Sequence, residues 1–350
     1  MKILIIGNMG YIGPAVVREL ARQHPEAILH GYDNAYFAHC LTGVHYLPER
    51  HLEKQFFGDI REMPADMLEG YTAVIQLAAV SNDPMGSRFA AVTKEINQDA
   101  TVSIARQAAK AGVKNFVFAS SCSVYGVASG APRREMDQVA PMTDYAKSKI
   151  GVEDAVSGIN GDMVITNLRF ATACGMSDRL RLDLVLNDFV ACALSQGTIT
   201  VLSDGSPWRP LIDVADMARA IDWAVQRRAD DGGRILNINT GSNQRNHQVR
   251  DLAAAVAEAI PGTTVSINTD AAVDSRSYQV DFSLFAKLAP EYQPQMTLSD
   301  SIKGLIEGLK RMKFSDSEFR TSPLMRLHVL QAHIDSGHLS EALKWSNVTY

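Results

Sequence analysis

Tyr145 and Lys149 stand four residues apart in the run Tyr145-Ala146-Lys147-Ser148-Lys149. On a helix that spacing puts both side chains on one face. An ammonium beside a phenol favours the phenolate, so the pair predicts a tyrosine drawn below its ordinary pKa of about 10, toward use as a general base. A second polar run, Ser120-Ser121-Cys122-Ser123-Val124-Tyr125-Gly126, follows an apolar stretch and offers a serine to bond a substrate hydroxyl or carbonyl. A third run, Gly7-Asn8-Met9-Gly10-Tyr11-Ile12-Gly13, follows the first apolar stretch of the chain. Its glycines permit a tight turn and close backbone approach to a pyrophosphate, and the helix that follows offers free N–H groups and a partial positive charge. Asp33 lies twenty residues past Gly13, where a carboxylate binds both ribose hydroxyls and repels a 2′-phosphate. The next residues, Asn34-Ala35-Tyr36, carry no cation, so the expected dinucleotide is NAD rather than NADP.

These side chains act together only if the elements around them converge. Residues 2–6 form a short, continuous apolar run, as in a strand buried on both faces. Residues 11–24 then carry helical periodicity at Ile12, Val16, Val17 and Leu20. Further strands are expected at 27–32, 73–79 and 115–120, with a long Ala-rich helix at 90–111. Strict strand–helix alternation argues for an α/β fold with helices on both faces of a parallel sheet. Right-handed crossovers make that sheet doubly wound, and its ligands gather at the carboxyl ends of the strands. The serine run sits at one such end. Beyond about residue 170 the rhythm loosens. Helices are expected at 182–195, 214–228, 247–260 and 299–312, strands at 198–202 and 235–239, and extended pieces at 265–268 and 278–282. The last segment, 314–350, is polar with periodic leucines and predicts two short helices.

Composition narrows the classes of function. At 350 residues the chain holds about two structural units and can bury a core without disulfides. Hydrophobic residues are 46% and charged residues 21%, which excludes a disordered or collagen-like chain. A net charge of −5 predicts no broad attraction to nucleic acid or to an anionic membrane. No apolar run reaches the roughly 18 residues of a membrane span. The opening residues read as a first strand rather than a signal peptide. Cys40, Cys122, Cys174 and Cys192 form no Cys-x-x-Cys pair, and the nine histidines show no ligand spacing. No metal is expected, and the cysteine usage fits a reducing, cytoplasmic setting.

In combination, these motifs resemble the extended short-chain dehydrogenase/reductases, in particular the NAD-dependent nucleotide-sugar epimerase/dehydratase branch. The resemblance covers residues 1–313. It rests on Gly7-x-x-Gly10-x-x-Gly13, Asp33, Gly58-Asp59-Ile60, Leu77-Ala78-Ala79, Asn97, Ser120-Ser121-x-x-Val124-Tyr125-Gly126, Tyr145-x-x-x-Lys149 and Leu168-Arg169-Phe170. It implies a Rossmann sheet with a smaller, partly interleaved α+β substrate domain and a helical C-terminal tail. The expected division is 1–170 with 211–240 for NAD, 171–210 with 241–313 for the nucleotide sugar, and 314–350 for the tail. Ser121 would be the catalytic hydroxyl, Tyr145 the base, and Lys149 the residue on the nicotinamide ribose. Gly7, Gly10, Tyr11, Ile12, Gly13, Asp33 and Asn34 would hold the dinucleotide. Asp59 and Ile60 would border the adenine, and Leu77, Ala78, Ala79 and Asn97 would line the groove. Ser121, Cys122, Ser123, Thr172, Asn187, Arg209 and Arg276 would face the sugar diphosphate, where arginine forks suit phosphate oxygens.

The departures from that branch are as informative. Sugar 4,6-dehydratases of this kind carry Asp and Glu directly after the catalytic hydroxyl, where Cys122 and Ser123 stand here. Neither supplies a carboxyl acid, so 4,6-dehydration is not expected. Thr172 replaces a common Asn, and Pro210 a common Asp. The resulting expectation is an NAD-dependent nucleotide-sugar epimerase acting at C4. Two rivals are a 4-dehydrogenase or 4-keto reductase with net cofactor turnover, and a redox-inactive NAD sensor. A homodimer is expected, through the helices at 90–111 and 145–156.

Overall fold

The computed structural model describes residues 1–127, 130–268 and 277–346. Its strands are β1 (Lys2–Ile6), β2 (Ile28–Asp33), β3 (Lys54–Phe57), β4 (Ala73–Gln76), β5 (Asn115–Ser121), β6 (Val164–Phe170), β7 (Thr172–Cys174), β8 (Thr198–Val201), β9 (Trp208–Asp213), β10 (Ile235–Thr240), β11 (Asn246–Gln248) and β12 (Thr264–Ile267). Seven of them form one parallel sheet in the order β3-β2-β1-β4-β5-β6-β10. Chain order reverses between β1 and β4, so a crevice opens beyond their carboxyl ends.

Strand alternation divides the packing into two layers. Ile3 and Ile5 point to one face, among residues of α1 (Gly13–Gln23) such as Val16, Val17 and Leu20. Leu4 and Ile6 point to the other face, among Val102, Ile104, Phe116 and Val152. The four β1 residues from Ile3 to Ile6 are completely buried, which accounts for the unbroken apolar run at the start of the sequence.

The expected helix at 90–111 is a rod of three parts. After the short helix α2 (Asp83–Arg88) come α3 (Ala90–Thr93), a π-helical stretch Lys94–Ala100, and α4 (Thr101–Lys110). The expected strand at 73–79 ends at Gln76. Leu77 and Ala78 both turn their amides onto the Ile6 carbonyl, at 2.8 and 3.2 Å, and leave the sheet as a loop. β3 was not expected from sequence, because Lys54-Gln55-Phe56-Phe57 is an edge strand with exposed ends and no apolar alternation.

The later elements are α5 (Asp144–Ser157), α6 (Val185–Gln196), α7 (Val214–Gln226), α8 (Val249–Ala259), α9 (Ser283–Leu288), α10 (Leu298–Arg311) and α11 (Arg326–Asp335). β11, β9 and β7 form a small mixed sheet, and β8 pairs in parallel with β12. The expected extended piece at 278–282 contributes one bridge, Val280 to Arg133. The C-terminal region holds α11, a 3-10 turn Phe319–Thr321 and a Leu339–Trp345 bridge, in place of two helices. Among the described residues no helix is long and apolar enough to cross a membrane, and no cluster of three His, Cys, Asp or Glu could hold a metal.

Candidate active site

A cavity of about 800 Å³ fills the crevice at the carboxyl edge of the sheet. Its floor is the glycine loop. Gly7 has φ +86°, and a Cβ there would strike the backbone of Leu77 and Ala78. A Cβ on Gly13 would overlap the Asn8 carbonyl. Both positions therefore need glycine on geometric grounds, and the first turn of α1 carries no acidic side chain to compete for its amides. Asp33 takes the Met9 amide at 2.9 Å and the Ala35 amide at 2.8 Å. Burial pushes its carboxyl up, while those two donors and Arg179 pull it back toward the charged form. Asn34, Asp59, Ile60, Leu77, Ala78 and Ala79 line the same cavity, as do Gly10, Tyr11 and Ile12.

Asn97 acts one layer behind the wall. Its side chain takes the Val80 amide at 2.8 Å and gives to the Val80 carbonyl at 3.0 Å and the Ser148 hydroxyl at 3.1 Å. The π stretch that breaks the rod carries this residue. One amide thus ties the loop after β4 to the helix bearing Tyr145 and Lys149.

Thr143 caps α5 by accepting the Ala146 amide, and its hydroxyl also donates to Asp83 at 2.7 Å. Tyr145 follows in the first turn, packed against Gly86 of α2, where a Cβ would lie 3.3 Å from it. Ser121 ends β5, accepts the Ser123 amide at 3.1 Å and sits near enough to the Tyr145 phenol to pull its pKa down. Ser121, Tyr145 and Lys149 all line the cavity.

The expected lowering of the tyrosine by the lysine is not what the geometry produces. Lys149 Nζ lies 5.4 Å from the Tyr145 ring centroid and donates to the Ala119 carbonyl at 2.7 Å. Burial raises the Tyr145 phenol to about 12, with Ser121 and Arg181 pulling down and Asp83 pushing up. Burial also drives the Lys149 ammonium down to about 7, against the pull of Glu153. An ammonium that is itself disfavoured in the interior cannot do much for a phenol. Glu153 is held in turn by Arg169 at 2.6 Å and accepts from Ser120 at 2.5 Å.

Ser123, Thr172 and Arg209 also line the cavity. The Ser123 hydroxyl is shielded and has no hydrogen-bond partner among the described residues, so it is a group awaiting one. Cys122 and Asn187, both expected against substrate, are not brought to the cavity. Cys122 is fully buried, donates to the Arg169 carbonyl at 3.0 Å, and has a thiol pushed far above its usual range by burial. Asn187 spends its amide on the Gly175 amide, the Tyr11 hydroxyl and the Arg181 carbonyl, at 3.0, 3.0 and 2.8 Å. Arg276 lies outside the described residues.

Sequence reasoning missed a second set of wall residues. Arg181 forks onto Asp183 at 2.8 and 3.0 Å and donates to Ser81 at 2.8 Å, and Asn82 reaches the same Asp183 at 2.6 Å. Tyr278, nearly buried, lines the cavity as well, and Arg326 and Leu343 arrive from the C-terminal region. The alternation Arg179-Leu180-Arg181-Leu182-Asp183 was the one visible signal for the first group. The arrangement offers a cradle for a dinucleotide on one side and a hydroxyl–phenol pair beside it. It can move a proton on a substrate oxygen next to a redox cofactor.

The model of the NAD dependent epimerase/dehydratase family matches residues 3–239. The low-salt glycan biosynthesis protein Agl12 of Haloferax volcanii is 24% identical over 312 residues, which is 88% of this chain and 98% of that protein. The UDP-glucose 4-epimerase of Rhizobium meliloti is 26% identical over 278 residues, 73% of this chain and 82% of that one. The solved UDP-glucose-4-epimerase of Stenotrophomonas maltophila, with bound NAD and formylated UDP-arabinopyranose, shares the fold. It superposes with a TM-score of 0.76 at 22% identity, over 89% of this chain and 99% of that one.

Proposed function

The chain belongs to the NAD-dependent epimerase/dehydratase family, and from that membership we propose that it is a nucleotide-sugar epimerase inverting C4. The observation that carries this reading is the turn after β5. Ser121 and Tyr145 line the cavity together, and the two residues that follow Ser121 are a sealed thiol and an unpartnered hydroxyl. Eliminating water from a sugar needs an acid to protonate the leaving oxygen. A buried thiol and a serine are poor acids for that step, which favours oxidation and re-reduction at one carbon over 4,6-dehydration. Curated relatives named as UDP-glucose 4-epimerases support the same choice.

Gly7, Gly10, Gly13 and Asp33 would hold NAD over the glycine loop, where it would supply reversible hydride acceptance. Tyr145 takes the proton of the C4 hydroxyl as that carbon is oxidised, the 4-keto sugar turns within the site, and Tyr145 returns the proton to the same oxygen as C4 regains hydrogen on its opposite face. Ser121 bonds the same oxygen and keeps it against the phenol. Lys149 supplies a donor toward the nicotinamide ribose, and such preorganised donors are worth several kcal/mol in a dry site. Ser123 and Thr172 meet the sugar, and Arg209 the diphosphate; Arg276 keeps its expected diphosphate role. Asn187 and Cys122 act from behind the wall, holding Tyr11 and the end of β6.

The division of labour proposed is 1–170 with 211–240 for NAD, 171–210 with 241–313 for the sugar nucleotide, and 314–350 as tail. We also place the protein in the cytoplasm as a homodimer, through the helical stretch 90–111 and the helix at 145–156. Outward positions there include Ser103, Arg106, Lys147 and Asp154, so that interface would be polar. The test is a panel of nucleoside-diphosphate sugars incubated with enzyme and trace NAD, followed by proton NMR. C4 epimers should form with no net absorbance change at 340 nm. Stoichiometric NADH, or a dehydrated product, would overturn the reading.

A further inference from the structure

The C-terminal segment lies beyond residues 3–239, where the family model matches, yet it reaches the cofactor side of the cavity. Arg326 opens α11 and is 1% exposed. Its guanidinium lies 4.8 Å over the Phe37 ring and donates to the Arg179 carbonyl at 2.8 Å and the Pro323 carbonyl at 3.5 Å. Two other buried arginines nearby each have a carboxylate: Arg179 pairs with Glu49 at 2.7 Å and Arg181 with Asp183 at 2.8 Å. Arg326 has none among the described residues, and it lines the cavity. Burial, together with repulsion from Arg181 and Arg179, lowers its guanidinium to about 10 against the pull of Cys40 and Asp183. A buried, uncompensated cation is costly unless an anion joins it.

Its neighbours say which anion. Phe37 lies four residues past Asp33, on the loop that takes the adenosine ribose. The segment bearing Arg179 and Arg181 crosses the glycine loop, with Ser177 donating to the Tyr11 carbonyl at 2.6 Å. Between the ribose acid and the helix N-terminus, a dinucleotide places its diphosphate. Farther along, the tail is anchored on the loops of the adenosine end. Arg61, paired with Asp59, donates to the Ala342 and Leu343 carbonyls at 2.8 and 3.0 Å. Tyr36 donates to Leu343, and Trp345 donates to the Asn34 carbonyl at 2.7 Å.

We propose that residues 326–345 form the outer wall of the NAD site, with Arg326 binding the cofactor diphosphate and the strap behind it slowing cofactor release. The proposal rests on the cofactor, not on the sugar chemistry of the preceding section, and it is tested without any sugar. Calorimetry is run with NAD, ADP-ribose, NADP and adenosine on wild type, Arg326→Met and Arg326→Lys, each first checked by thermal melting. Arg326→Met should bind NAD and ADP-ribose about ten- to hundredfold more weakly, the worth of a charge-assisted bond, with adenosine affinity unchanged within threefold. Arg326→Lys should lose less, because it keeps the charge but not the fork. Equal ADP-ribose affinity in wild type and Arg326→Met overturns the proposal. So does a loss confined to NADP, which would assign the cation to a 2′-phosphate. If Arg326→Met does not fold, hydrogen exchange on wild type decides. ADP-ribose, and not adenosine, should protect amides in 326–345 at least tenfold, and unchanged exchange there overturns the proposal.

Discussion

Replacing Lys149 by Met should make the cofactor-free protein more stable at neutral pH while abolishing its activity. Lys149 is 3% exposed, and burial brings its ammonium from 10.5 down to about 7. The folded state therefore binds this proton less tightly than the unfolded chain. Below pH 7 both states are protonated and the destabilisation is complete, on the order of 5 kcal/mol for a shift of that size. As pH rises above 7 the folded lysine sheds its proton while the unfolded one keeps it, so stability climbs toward pH 10.5. Between pH 7 and 9 the gain attributable to this one group is about 2 kcal/mol. Methionine has no proton to lose, so the variant lacks that slope. It also gives up the bond to the Ala119 carbonyl, about 1 kcal/mol, while Glu153 keeps Arg169 and Ser120. The net expectation is a variant roughly 2–4 kcal/mol more stable than wild type at pH 7, with the margin shrinking by about 2 kcal/mol at pH 9. Urea unfolding at pH 7, 8 and 9, read as variant minus wild type, measures this and cancels other titrating groups. A constant difference across that range, or a variant less stable at pH 7, would refute the reasoning.

Tyr145→Phe keeps the ring and removes the ionisable oxygen. Turnover should fall by about 10²–10⁴, with the melting temperature and NAD affinity held, as steady-state kinetics and calorimetry will show. Ser121→Ala should cost less turnover than Tyr145→Phe, because one neutral hydrogen bond is lost and water can replace it. Cys122→Ala should leave kcat within twofold, while the lost contact with the Arg169 carbonyl lowers unfolding free energy by about 1 kcal/mol in urea melts. On the proposed role of Asp33 at the ribose hydroxyls, NAD should bind at least tenfold tighter than NADP, and Asp33→Ala should narrow that ratio, both read by calorimetry.

The first half of the chain was legible because its signals are local. Ile3 to Ile6 are buried on both faces and read as an unbroken apolar run, and the glycines at 7 and 13 stand where a side chain would strike backbone. The later strands were obscure because β7 and β11 are three residues long and take their partners from across the chain. The break in the 90–111 rod left no trace either, since its purpose is a tertiary one, presenting Asn97 to Val80 and Ser148. At the site, motif spacing located Ser121, Tyr145 and Lys149 but not their protonation, which depends on burial. Cys122 and Asn187 were expected at the wall because position in a motif says nothing of the direction a side chain takes. Arg326 and Leu343 were out of reach, since nothing in a polar tail announces that it folds back some 300 residues to the first loops.

The account turns on one sugar carbon being oxidised and re-reduced within a single cofactor-bound cycle, with Tyr145 moving the proton. The most direct test uses a nucleotide sugar that the enzyme inverts, deuterated at C4, with trace NAD and excess unlabelled NADH in solution. The inverted product should keep its deuterium at C4 in wild type, and Tyr145→Phe should form it at least a hundredfold more slowly. Deuterium appearing in the free NADH pool or in water, or a Tyr145→Phe variant within tenfold of wild type, would contradict the account.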